Sequence, residues 1–150
     1  MKTTVIAPHK SSIGNMDANI AVLLMFIATF VLSWIPYIQY IAWAAPIVFF
    51  VLEKQSAFVK FQAVQGLIIA IVRTVLTILF NIITWAMIPK DIYGLLTVGV
   101  FSAGYWIVSI IAVIVGLALT ALVLYIIVMA YGYKNVEVPV IGPLAQSFSK

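Results

Sequence analysis

Arg73 asks more of its surroundings than any other residue in this chain. It stands fifteen residues from either end of an apolar run, Phe58 to Ile88. At a helical step of about 100° per residue, Gln62, Gly66, Ala70, Arg73, Thr77, Asn81 and Thr84 share one arc of about 100°. Phe80 is the one large apolar residue in that arc, and the opposite side reads Val64, Leu67, Ile68, Ile71, Val75, Ile78, Ile82 and Trp85. Such a stripe supports two chemistries. Arg73, Thr77 and Asn81 can line a polar path that draws an anionic group. Alternatively, the small and hydroxyl residues let helices approach closely while the arginine snorkels or holds a lipid phosphate. No apolar run contains a carboxylate to answer it, because Asp17, Glu53, Asp91 and Glu137 all stand at ends or in loops. Backbone carbonyls, Gln39, Asn81 and threonine hydroxyls are the remaining acceptors.

Other chemistry is sparse. The single histidine, His9, lies in a polar lead and reads as a solvated residue. There is no histidine–carboxylate constellation, no phosphate-binding glycine loop and no metal-spaced cluster, and the chain has no cysteine. Glu53-Lys54 reads most simply as an interfacial ion pair. The expectation is a protein that is not an enzyme, with no catalytic residues, metal or cofactor.

The elements that must carry Arg73 follow from composition. The chain is 65% hydrophobic and 8% charged over 150 residues, with a mean hydropathy of +1.23. An average soluble domain is about 25% charged, so lipid must be the solvent for much of this surface. Eight basic residues against four acidic ones form no cluster, which excludes a nucleic-acid partner and leaves a topological reading.

Residues 1–18 are polar and read as a disordered tail. Ile20 to Leu52 is apolar but interrupted by Pro36, Phe58 to Ile88 is a second block, and Leu95 to Tyr131 is a third. The first block runs far past a signal-peptide core and reads as a retained anchor. A membrane span needs about 20 apolar residues. The first block therefore fits a tight hairpin with a turn near Trp34–Tyr40, where proline disfavours helix.

The spans predicted are 19–35, 38–53, 60–88 and 106–131, within a transmembrane domain 19–131 followed by a cytoplasmic tail 132–150. This arrangement puts Lys2, Lys10, Lys54, Lys60, Lys134 and Lys150 on the cytoplasmic side and Lys90 outside. A single crossing by the first block would favour neither side. The fold class is an all-α integral membrane protein, a bundle of four transmembrane helices whose first two form a short hairpin. Both termini are expected to be cytoplasmic, in the plasma membrane of a prokaryote.

Trp34, Tyr37, Tyr40, Trp43, Trp85, Tyr93, Tyr105 and Trp106 would form the outer aromatic belt, with Tyr131 and Tyr133 at the inner one. Tyr93 to Gly104 would lie on or dip into the outer leaflet. Ser109, Ala112, Gly116 and Thr120 recur at helix-packing spacing. Ala42, Ala45 and Pro46 form a small patch with an expected kink.

The stretch Trp43 to Gly66, WAAPIVFFVLEKQSAFVKFQAVQG, resembles a prokaryotic membrane family of unknown function. That family is distantly similar to the twenty-kilodalton subunit of the chloroplast inner-envelope protein translocon. Pro46, Glu53, Lys54, Phe58, Val59, Lys60, Phe61, Ala63 and Gln65 match its pattern. Near the carboxyl end, Pro139, Ile141 and Gly142 match the family's Pro-x-Ile-Gly. Where the family usually has histidine this chain has Gln62, which removes a proton-handling or metal role there and keeps hydrogen bonding.

The resemblance implies a four-helix membrane protein and makes a role in protein translocation conceivable. The leading expectation is a non-enzymatic subunit of a membrane complex, with the lipid bilayer, membrane-protein partners or further copies of itself as partners. The alternatives are an oligomeric channel or carrier for a small anion using the Arg73 stripe, and a lipid-binding protein.

Overall fold

The computed structural model describes residues 2–97 and 102–148. Its elements run β1 (Lys2–Val5), α1 (Ala18–Leu32), a 3-10 turn (Ile38–Ile41), α2 (Ala44–Leu52), α3 (Ala57–Ala86), α4 (Ile92–Thr97), α5 (Ala103–Tyr131), β2 (Lys134–Glu137) and α6 (Ile141–Phe148). The chain is mostly helical, as its composition requires. Among the described residues, two helices rather than four have the length of a full crossing: α3 with 30 residues and α5 with 29. At about 1.5 Å per residue each exceeds a hydrocarbon core of about 30 Å.

The first apolar block turns where Pro36 predicts, but the turn consumes more chain than expected. Ser33 closes α1 through N–H bonds to Thr29 and Phe30 carbonyls. Tyr37 then takes a left-handed φ of 66°, and the indole N–H of Trp43 caps the Tyr40 carbonyl at 2.7 Å. What remains is 15 residues of α1 and 9 of α2, against the spans predicted over 19–35 and 38–53. Pro46 is the third residue of α2, where its missing N–H is not needed. It lies in the first turn of that helix.

The chain forms two compact units, Met1–Ile71 with Leu122–Lys150 and Val72–Ala121. In the first, residues read as terminal tails acquire structure. β1 pairs antiparallel with β2, setting Lys2 opposite Glu137 and Val5 opposite Lys134. Thr3, Thr4 and Val136 are β-branched and suit an extended pair, and Val136 is fully buried.

Beneath the strands, Val22, Met25 and Phe26 of α1 pack with Phe58 and Val59 of α3 and with Ile126 of α5. Gly66 permits this approach: a Cβ there would lie 3.2 Å from the Phe26 ring. The amide of Asn19 ties the start of α1 to the Tyr131 carbonyl at the end of α5, at 2.9 Å.

The second unit holds the carboxyl half of α3, α4 and the amino half of α5. Its surface is apolar, with Val75, Ile82, Ile107, Ile110, Ile114 and Leu117 all exposed. Among the described residues, no atom beyond its chain neighbours and its own helix backbone lies within 4 Å of where a Cβ of Gly116 would sit. The small-residue face of Ser109, Ala112, Gly116 and Thr120, read as a packing face within the chain, is therefore open at Gly116. The Thr120 hydroxyl instead donates to the Gly116 carbonyl of its own helix at 2.8 Å.

Past the end of α3, the Lys90 ammonium lies 3.5 Å from the centre of the Trp85 ring, a cation–π contact suited to a membrane boundary. Of the segment Tyr93 to Gly104, the part in α4 is helical with Tyr93 and Leu96 exposed, while residues 98–101 lie outside the described residues.

Candidate functional site

The most densely bonded polar group in the first unit is Glu53, in the turn between α2 and α3. Its side chain is buried. Oε1 accepts from the Ser12 N–H at 3.1 Å, the Ser12 hydroxyl at 2.7 Å, and the Gln55 and Ser56 N–H groups at 2.9 Å each. Oε2 accepts from the Ser11 hydroxyl. Burial alone would raise this carboxyl, but the bonds from Ser11, Ser56, Ser12 and Gln55 outweigh it and hold it at about 2. The carboxylate also faces the amino end of α3, where the helix dipole favours negative charge.

The expected ion pair with Lys54 does not form. Among the described residues the ion pair is Lys10 with Asp17, at 3.3 Å, and the Lys54 N–H bonds the Ser12 hydroxyl at 2.7 Å.

His9, expected to be solvated, is half-buried in the same cluster. Its Nδ1 lies 2.9 Å from the Ala7 carbonyl and its Nε2 lies 2.7 Å from the Ser56 hydroxyl. A carbonyl can only accept, so Nδ1 donates and Nε2 accepts the serine proton in the neutral ring. Serine and imidazole at this spacing form the nucleophile–base arrangement of acyl-transfer enzymes. Here the serine is only 2% exposed, and its oxygen also accepts the Val59 N–H at 3.2 Å. Ser56 is thus the amino cap of α3, held by His9. The imidazole in turn packs on Phe58 and Tyr133, with ring centroids 6.2 and 6.0 Å apart.

One and two turns further along α3, Gln62 and Gln65 are fully buried. Gln62 Nε2 donates to Asn135 Oδ1 at 3.0 Å, and Gln65 Oε1 accepts the Val138 N–H at 3.5 Å. Both amides fasten the β2 segment onto α3. One atom of each, Gln62 Oε1 and Gln65 Nε2, has no hydrogen-bond partner among the described residues.

Phe58 stacks on Tyr133 at 5.8 Å, Phe61 packs with Val64 and Ala145, and Pro46 is buried. Lys54 is exposed and Lys60 half-buried. Pro139 and Val140 form the turn into α6, with Val140 at φ 71°. Gly142 then approaches β2 so closely that a Cβ would come 2.8 Å from the Cβ of Glu137.

The polar stripe of α3 divides between the units. Gln62 belongs to the first, and Arg73, Thr77, Asn81 and Thr84 to the second. The Thr77 hydroxyl donates to the Arg73 carbonyl at 2.9 Å, and the Thr84 hydroxyl to the Phe80 carbonyl at 2.8 Å. Both hydroxyls turn back on their own helix and do not reach towards a shared ligand. Asn81 is exposed and Arg73 half-buried.

Each acidic residue of the chain already has a partner elsewhere. Asp17 holds Lys10, Glu53 its cage, Asp91 the Gly94 N–H at 2.9 Å, and Glu137 the Gln146 amide. Arg73 forms no ion pair among the described residues.

No family model matches this chain, and no solved structure matches it. The UPF0132 membrane protein of Methanocaldococcus jannaschii is 34% identical over 106 residues, which cover 69% of this chain and 74% of that relative. The chain belongs to the UPF0132 family of membrane proteins. The relative's description gives a membrane protein and no activity, in keeping with the two long apolar helices of this UPF0132 chain.

Sequence reasoning did not single out Ser11, Ser12, Ser56 or Asn135 of this UPF0132 chain, and it misplaced His9. One signal was available for Ser56, a serine directly before a long apolar helical run. Ser12, which bonds Glu53, and Asn135, which bonds Gln62, lie 41 and 73 residues away in sequence, a separation that local pattern does not encode.

Proposed function

We propose that this chain is a non-enzymatic subunit of a membrane complex, in which another polypeptide supplies the anion that Arg73 lacks. The observation that carries the reading is the accounting of charge. An arginine at the middle of a membrane helix costs about 2.5–3.5 kcal/mol to insert and must face protein, water or a headgroup. All four carboxylates of this chain are engaged elsewhere. A carboxylate on a partner helix would meet the need, and the open face at Gly116 suits close approach by such a helix.

The placement we propose is four membrane helices in a prokaryotic plasma membrane. α3 and α5 cross in full, while α1 and α2 enter and leave by one face. Pairing of β1 with β2 supports an even number of passages. We read the cytoplasmic side from Lys2 and Lys134 of the strand pair, Lys10 and Lys54 of the loops, and Lys60 in the first turn of α3. The distant similarity of the resembled family to a translocon subunit suggests handling of translocating or inserting polypeptides as the process served.

The test is purification of the tagged protein from its native membrane in gentle detergent, with mass spectrometry and native sizing. The reading predicts a reproducible membrane-protein partner that Arg73→Leu loses while the variant stays monodisperse. Anion flux through the purified protein alone, abolished by Arg73→Leu, would replace this reading with that of a carrier. Phospholipid that co-purifies in place of protein, and is lost in the same variant, would replace it with that of a lipid-binding protein.

A further inference from the structure

The carboxyl-terminal helix presents three different faces. Ile141, Gly142 and Ala145 point inward, with Ala145 fully buried against Phe61 and Val64. Gln146 and Ser147 form an exposed polar arc, with Pro143 between them. Between these lies a third arc, in which Leu144 and Phe148 stand one turn apart and about 40° from each other, with Val140 in the turn that leads into the helix. Val140, Leu144 and Phe148 are all exposed, at 78%, 48% and 65%. An apolar arc beside a polar one on a short helix, outside the buried core, is the pattern of a helix lying in a membrane interface.

We infer that α6 is an interfacial helix whose Leu144 and Phe148, with Val140 of the turn before it, insert into the headgroup–acyl boundary of an anionic bilayer. Two features name lipid as the occupant. First, α6 follows α5 with only β2 between them, and the last two turns of α5 expose Leu124, Val128 and Tyr131, an apolar surface that a membrane helix gives to lipid. Second, the same unit exposes Lys2, Lys54 and Lys134, while its Glu53 is buried, its Asp17 is paired with Lys10, and its Glu137, against α6, is half-buried and bonded to the Gln146 amide. That charge complements anionic headgroups.

Gly142 sets the helix in place. It lets α6 sit directly on Glu137, and its N–H bonds the Val138 carbonyl at 2.7 Å. A rigid seat of this kind fixes which arc faces the bilayer.

The chain has no cysteine, so single labelling sites are clean. Leu144→Cys, Gln146→Cys, Ser147→Cys and Phe148→Cys would each carry an environment-sensitive fluorophore in liposomes of phosphatidylcholine with phosphatidylglycerol. Native sizing of each variant checks that the exposed substitutions leave the fold intact. The expected result is a periodic pattern: labels at 144 and 148 are quenched severalfold more by lipid-borne nitroxide than by aqueous iodide, and labels at 146 and 147 the reverse. Equal iodide quenching at all four positions would overturn the inference. So would labels at 144 and 148 shielded from both quenchers, which would mark a protein surface on that arc. Neither outcome depends on Arg73 or on any partner at its level.

Discussion

At the scale of single residues, Glu53 carries the sharpest energetic statement. Its folded carboxyl is held at about 2, below the unfolded value of about 4.3. The group therefore stabilises the fold fully at neutral pH. That contribution declines below about pH 5 and is gone by about pH 2, an effect on the order of 3 kcal/mol. Thermal unfolding of the purified protein across that range should show this loss. Glu53→Gln should be less stable at pH 7, by about 2–4 kcal/mol, because an amide presents N–H groups to donors that need an acceptor. The variant should also lose most of the acid sensitivity. An unchanged pH profile would mean that Glu53 is not the group responsible.

The motif at Glu53 was legible in the sequence as a feature, but its role was not. An acidic residue beside a lysine suggests a pair, whereas the serines that hold it come from a lead read as a disordered tail. Hydroxyls and backbone N–H groups can satisfy a buried carboxylate completely, and no local spacing reveals that.

At the scale of elements, two glycines decide how helices seat. Gly66→Leu would drive a branched side chain into Phe26 and Met25, already 3.2 and 3.4 Å from a bare Cβ. The expected loss is about 1–3 kcal/mol, the usual penalty for overpacking, read as a lowered midpoint of thermal unfolding in detergent. Gly142→Ala meets backbone as well as side chain of Glu137, so α6 must shift. Faster hydrogen exchange confined to residues 134–148 is the expected signature. Unaltered exchange there would contradict the seat that Gly142 provides.

Periodicity made α3 and α5 legible, because each is a long uninterrupted apolar run. The hairpin was legible only in outline. Pro36 placed the turn, but the number of residues it would take from α1 and α2 depends on Tyr37 adopting a positive φ and on a 3-10 turn that apolar composition does not signal. The strand pair escaped notice for a different reason. β1 and β2 are four residues each, and neither is stable without the other.

At the scale of the whole molecule, the described carboxylates are spent within the chain and one mid-helix arginine is left over. Removing that charge should ease insertion, since Leu is favourable by about 0.3–0.6 kcal/mol where Arg is unfavourable by about 2.5–3.5. Arg73→Leu is therefore expected to keep or raise the stability of the isolated chain while weakening its assembly. A purely structural arginine would show the opposite, with lost stability and unchanged partners.

The most direct measurement places a photo-crosslinking residue at Thr77, one turn from Arg73 on the same face of α3, in cells that hold the native membrane. The account predicts an adduct with another membrane protein, mapped to a helix that bears a carboxylate and lost when Arg73→Leu is added. Adducts to phospholipid alone, or none beyond the chain itself, would contradict it.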